Sequence, residues 1–168
     1  IENLLTRRST RAFLQKEIPD NELNEILQAA IYAPSGMGKQ TWKFTVLCNQ
    51  EKTQQLAELI GRKLGRKGYD MYRPQVLIIP SNQKENPHGM EDNACALENI
   101  FLAAHSFGIG SVWINQLRTL CDDPEVRALL DEFEIPSDHV VYGMAALGYP
   151  ADAPKKEIHK IGEIRIIK

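Results

Sequence analysis

Ala33-Pro34-Ser35-Gly36-Met37-Gly38-Lys39-Gln40-Thr41-Trp42 is the stretch on which the fold depends, and upstream of it stands Arg7-Arg8-Ser9-Thr10-Arg11-Ala12-Phe13. Between the two lies a strongly amphipathic segment. Leu23, Ile26, Leu27, Ala30 and Ile31 recur on one face at helical spacing. Pro19-Asp20 opens this helix, with Asp20 as its expected cap and Glu22 favouring its positive end. Pro34 ends it. The upstream segment clusters fixed cations with hydroxyls. The downstream one is a glycine-containing turn, with hydroxyl and amide groups, that leads into a strand. Together they suit an aromatic ligand that carries a phosphate.

The composition narrows the class. A chain of 168 residues reads as one domain, 1–168, able to bury a core unaided. A formal net charge of −2 argues against a general nucleic-acid binder, so any anion site must come from local placement of cations. Cys48, Cys95 and Cys121 are far apart and unpaired in pattern, which reads as buried or semi-buried free thiols in a reducing compartment. His88, His105, His139 and His159 have no metal-ligand spacing, so no metal is expected. No apolar run approaches the roughly 18 residues of a membrane span. The start shows no signal-peptide pattern, although it is Ile1 rather than Met. The expectation is a cytoplasmic protein that binds neither membrane nor nucleic acid.

Outward from the opening stretch, a short helix is expected over Ile1 to Thr6, and a strand where Trp42, Phe44, Val46 and Cys48 alternate with Lys43, Thr45 and Leu47. Leu56, Leu59, Ile60 and Leu64 mark a helix closed by Gly61, Gly65 and Gly68. Gln75 to Pro80 is an apolar strand of the kind buried on both faces, and polar Ser81 to Met90 reads as a mobile loop. Glu91 to Phe107 is apolar around most of its circumference, the pattern of a buried central helix. Glu91 and Asp92 sit at its positive end, and His105 reads as a satisfied core histidine. Gly108 and Gly110 lead into a strand at 111–115. Asp123-Pro124-Glu125 is a strong helix start. His139 to Leu147 reads as one core strand ending in Gly148-Tyr149-Pro150. After a polar arm, Glu163-Ile164-Arg165-Ile166-Ile167-Lys168 is an apolar strand in need of a sheet edge, which a partner subunit can supply.

Arg7, Arg8 and Arg11 place three guanidinium groups within five residues, and bidentate arginines serve a dianionic phosphate well. Taken alone, they equally describe a solvated helix end. Gly36 and Gly38 let backbone approach a flat ligand, while Ser35 and Gln40 offer hydrogen bonds. Met37 stands in the same turn. Trp42 reads as core rather than as a stacking platform.

The whole resembles the nitroreductase family of FMN-dependent oxidoreductases. The resemblance rests on Arg7-Arg8-Ser9-x-Arg11-x-Phe13, on Ala33-Pro34-Ser35-Gly36-x-x-x-Gln40-x-Trp42, on Gly108-Ile109-Gly110-Ser111-x-Trp113, and on Gly148-Tyr149-Pro150 before a basic tail. It implies an α+β fold, an α/β/α sandwich with a mixed central sheet of about five strands. It also implies a homodimer, with a C-terminal arm over about 151–168 that donates its strand to the partner.

The same resemblance implies FMN at the subunit interface, held by Arg7, Arg8, Ser9 and Arg11 of one chain and by Pro34, Ser35, Gly36, Met37, Gly38 and Gln40 of the other. Trp113, Ile114 and Asn115 would line the isoalloxazine, with a backbone donor near Asn115 or Gln116 for its N5. Lys155, Lys156, His159 and Lys160 compete for the phosphate, and Lys160 is the choice. NADH or NADPH would reduce the flavin. A nitroaromatic, quinone or similar conjugated acceptor would then reoxidise it in ping-pong fashion, with no catalytic side chain required. A non-enzymatic FMN-binding protein, for storage or redox sensing, is the alternative. The chain departs from the family pattern at Gly38, where asparagine is usual, and at Thr41, where proline is usual.

Overall fold

The computed structural model describes residues 1–152 and 160–168. Its helices are α1 (Glu2–Thr6), α2 (Asp20–Ile31), α3 (Gln50–Lys63), α4 (Gly89–Ser106) and α5 (Pro124–Glu132). Its strands are β1 (Trp42–Leu47), β2 (Val76–Gln83), β3 (Gly110–Ile114), β4 (His139–Val140) and β5 (Met144–Gly148). The sheet runs β1-β2-β5-β3, with β4 also paired to β2, and every pairing of named strands is antiparallel. The parallel element that makes it mixed is a single bridge, Ser9 to Ser111.

Alternation on the central strands decides the layers. Leu77 and Ile79 of β2, with Met144 and Ala146 of β5, pack against Leu56 and Ile60 of α3 and Val126 and Leu130 of α5. Val76, Ile78, Ala145 and Leu147 face the opposite way, against Ile26 and Ala30 of α2 and Leu97, Ile100 and Ala104 of α4. The sheet is therefore covered on both sides, as its uninterrupted apolar run requires, and the α/β/α sandwich is as expected. Asp123 caps α5 by accepting from the Glu125 and Val126 amides.

Several local expectations give way to tertiary packing. Asp20 is the first helical residue of α2, not its cap; Pro19 holds that position, and Asp20 contributes only through the helix dipole. Gly61 lies inside α3 rather than closing it, because a Cβ there would come within 2.9 Å of Tyr69 Cβ. Ser81 and Asn82 are buried and extend β2, so the expected loop shrinks to 84–88. The expected strand over His139 to Leu147 breaks at 141–143. Ile78 faces Ala145 and Asn82 faces Val140, which leaves one extra residue on the β4–β5 side, as in a bulge. Cys121 is buried, whereas Cys48 and Cys95 are exposed; all three are free.

The C-terminal segment 160–168 forms no strand within this chain. Its isoleucines, Ile161, Ile164, Ile166 and Ile167, are between 77% and 98% exposed.

Candidate functional site

Residues 9–14 form an arm across the end of the sheet. The Thr10 amide donates to Ser111 O at 2.9 Å, Leu14 to Tyr149 O at 2.8 Å, and Ala151 returns a bond to Ala12 O at 2.9 Å. Glycines permit this closeness. A Cβ at Gly110 would lie 2.5 Å from Thr10 Oγ1, and one at Gly148 would lie 2.9 Å from the Phe13 ring. Two of the sequence motifs are thus explained by the seat of the arm.

Between arm and sheet end opens a cleft of ≈ 400 Å³, lined by residues 6–12, by His105 and 108–111, and by Pro150 and Asp152. Arg7, Arg8, Ser9 and Arg11 all line it. Arg7 is pinned to α4: its Nε lies 3.9 Å from Glu98 Oε1, and its guanidinium lies 5.9 Å from the Phe101 ring centre. Arg8 donates to Leu5 O at 2.9 Å and to Arg7 O at 3.0 Å. His105 is half-buried at the cleft wall rather than in the core, and its Nε2 lies 2.8 Å from Thr6 Oγ1. Since Thr6 Oγ1 already donates to Glu2 O at 2.8 Å, the imidazole is the donor to that hydroxyl. A cleft with three fixed cations and several hydroxyls fits a phosphate group.

Trp113 lies beyond this wall. Its ring centre is 6.3 Å from that of Phe101, and it remains 39% exposed. Gly143 makes room for it, since a Cβ there would sit 2.5 Å from the indole. Trp113 Nε1 donates to Asn115 Oδ1 at 3.2 Å, and the Asn115 amide donates to Gln116 Oε1 at 3.0 Å. The Tyr69 hydroxyl donates to that same Gln116 oxygen at 3.0 Å. Burial pushes the Tyr69 pKa up to about 12, so it stays a donor. The strip 113–116 is held from both ends, and the Asn115 amide is already committed within the chain.

The Pro34–Gln40 turn lies elsewhere. A single 3-10 turn, Gly36–Gly38, follows Ser35, and Met37, Gly38 and Gln40 have φ of 55°, 65° and 51°. Its Gly36 amide donates to Asp92 Oδ1 at 2.7 Å, near the start of α4, while Arg7 meets Glu98 and Phe101 in the second half of that helix and Thr6 meets His105 near its end. From Asp92 to His105 the axial rise is about 20 Å. Within one chain, then, the structure joins the cationic arm to the Gly108–Ser111 corner but does not bring the turn to them.

Sequence reasoning missed Asp92, Asn82 and Asn86 as the anchors of the turn, because no local pattern separates a buried amide from a loop one. Lys160 is exposed and does not line the cleft, and Lys155, Lys156 and His159 lie outside the described residues. Among the described residues no cluster of histidine, cysteine or carboxylates could hold a metal. No described helix is long and apolar enough to cross a membrane.

The family model of the nitroreductase family matches residues 4–149. A nitroreductase from Bacteroides fragilis, solved with bound FMN, is 44% identical, with 99% of this chain and 97% of that one covered and a TM-score of 0.93. An FMN-dependent nitroreductase from Clostridium difficile is 32% identical over 93% of this chain and 90% of its own, with a TM-score of 0.79. The NADPH-flavin oxidoreductase of Vibrio harveyi is 28% identical over 92% of this chain and 67% of its own.

Proposed function

The chain belongs to the nitroreductase family, and from that premise we propose that it is an FMN-dependent NAD(P)H oxidoreductase whose flavin sites are completed between two copies of itself. The observation that carries the second half is the separation of the arm from the Gly36–Gln40 turn along α4: the turn is tied at Asp92, whereas Thr6, at the start of the cationic segment, meets His105, about 20 Å further along the axis. Neither half alone surrounds a flat ligand. A symmetric dimer, with the arm of one protomer facing the turn of its partner, makes two whole sites from two pairs of halves. The exposed apolar tail 160–168 then docks its isoleucines on the partner and removes them from water.

Bound FMN supplies a reversible hydride acceptor, and the polypeptide supplies its placement and electronics. Arg7, Arg8 and Ser9 hold the phosphate in the cleft. Arg11, exposed and permanently charged, would offset the negative charge that a reduced flavin gathers. Trp113 to Gln116 would line the ring, and the Gln116 amide would be the donor to its N5, since that of Asn115 is engaged. The acceptors are nitroaromatics, quinones or similar conjugated molecules, which take the place of the nicotinamide in turn. Their proton comes from solvent. The compartment is the cytoplasm.

An absorbance spectrum of the purified protein, taken before and after anaerobic NADH and NADPH, tests this reading. The expected spectrum is that of bound FMN, bleached promptly by at least one nicotinamide. A yellow protein that neither nicotinamide bleaches would be a flavin store or sensor, and a colourless one that takes up no FMN would defeat both readings.

A further inference from the structure

Asp92 is 3% exposed and, among the described residues, has no cation within ion-pair distance. A buried carboxylate persists only where hydrogen bonds and dipoles replace water. Here the first turn of α4 provides a positive dipole end. Asp92 Oδ1 accepts the Gly36 amide at 2.7 Å, and Oδ2 accepts Asn86 Nδ2 at 3.0 Å. Asn86 also donates to Thr41 Oγ1 at 2.9 Å, and Thr41 Oγ1 donates to Asn82 Oδ1 at 2.6 Å.

These bonds reach both ends of one short segment. Gly36 begins it and Thr41 follows it. Inside, Met37 and Gln40 hold left-handed backbone that non-glycine residues avoid. Such strain persists only where the surroundings over-determine it. A Cβ on Gly36 would lie 2.6 Å from His88, so the segment is also pressed against the start of α4. The cost of burying a charge is met at the two ends of the segment that, on the function proposed above, meets the flavin.

We propose that Asp92 is a positioning residue for the flavin: directly through Gly36, and through Asn86 and Thr41, it holds the Gly36–Gln40 turn in the conformation that receives the ring. It touches no cofactor atom itself. The inference rests on the reading that this turn contacts FMN, and its consequence is that charge and geometry at a carboxylate behind the turn set how tightly the flavin is held and how its ring is polarised.

The test compares full-length wild type with Asp92→Asn and Asn86→Ala. Asp92→Asn keeps the shape and an acceptor for Gly36 but presents an NH2 toward the Asn86 NH2. Asn86→Ala keeps the carboxylate and cuts its link to Thr41, leaving Thr41 tied to Asn82 alone, and it decides the matter if Asp92→Asn does not fold. Circular dichroism establishes folding, fluorescence titration gives the FMN dissociation constant, and the visible spectrum and midpoint potential report the ring's surroundings. We expect folded variants with FMN binding weakened about tenfold or more (about 1.4 kcal/mol), and with a shifted spectrum and potential. Folded variants with the wild-type constant, spectrum and potential would overturn the inference, even if they melt earlier, because that is the behaviour of a carboxylate that serves the fold alone. A wild-type chain that takes up no FMN would overturn the proposed function instead, and this inference with it.

Discussion

Gly110 lies beneath Thr10 so closely that a Cβ on the glycine would stand 2.5 Å from the threonine hydroxyl. The contact fixes how near the arm comes to the sheet end, and so the width of the cleft whose walls the two residues share. Gly110→Ala is expected to lift the arm. Overpacking of this kind costs typically about 1–3 kcal/mol. Thermal melting should show that loss, and an FMN titration should show weaker binding than the melting alone explains.

Arg11→Ala and Arg8→Ala are expected to differ in kind. Charge-assisted hydrogen bonds contribute roughly 1.5–3 kcal/mol each, so either loss should weaken FMN binding about tenfold or more. Arg11 is exposed, and its removal should leave stability unchanged. Arg8 also ties the end of α1 through Leu5 O and Arg7 O, so its loss should lower the melting temperature too. Full FMN retention by both variants after dialysis would remove this cluster from the site.

Gly38 has φ +65° with nothing within 4 Å of where a Cβ would stand. Backbone conformation, not space, therefore limits substitution within the chain. Asparagine tolerates this region and valine does not. Gly38→Asn should melt close to wild type, while Gly38→Val should lose about 1–2 kcal/mol. On the proposed site, Gly38→Asn should also shift the flavin potential or the preference among acceptors in steady-state assays.

His139 makes stability depend on pH. Burial depresses its pKa first of all; Lys43 and Arg127 add to this, while Asp138 and the bond to Ser81 oppose it. Because the folded pKa lies below the unfolded one, the unfolded chain binds the proton more readily. The contribution is fully present above the unfolded value of about 6.5 and is lost as pH falls through the depressed folded value. Urea melts between neutral and mildly acid pH should show this decline, and His139→Gln should flatten it.

Which parts of this were readable in advance follows from the range of the forces involved. The cap of α5, the apolar faces of α2 and α5 and the doubly buried β2 are local patterns, and they read correctly. The cationic arm and the Gly108–Ser111 corner were legible as motifs, and the structure joins them. Ser81 and Asn82 were not legible as strand, because the partners that tie the Ser81 hydroxyl to His139 and Asn82 Oδ1 to Thr41 inside the protein lie far along the chain. Asp92 reads as a dipole carboxylate until Gly36, brought to it by folding, claims its oxygen. Gly61 reads as a stop until Tyr69 lies against it.

Central to this account is a flavin site divided between two chains, and mixing defective protomers tests it most directly. One chain carries Arg7→Ala with Arg11→Ala; the other carries Gly36→Val, whose Cβ would meet His88 at 2.6 Å. Each alone should purify without FMN. The two are co-expressed with different tags, and the mixed dimer is isolated through both. If arm and turn come from different chains, one of its two sites unites the intact arm with the intact turn, and about one FMN should be recovered per two chains. Mixed dimers that assemble yet hold no FMN would contradict the account, because a site built within a single chain leaves every copy defective.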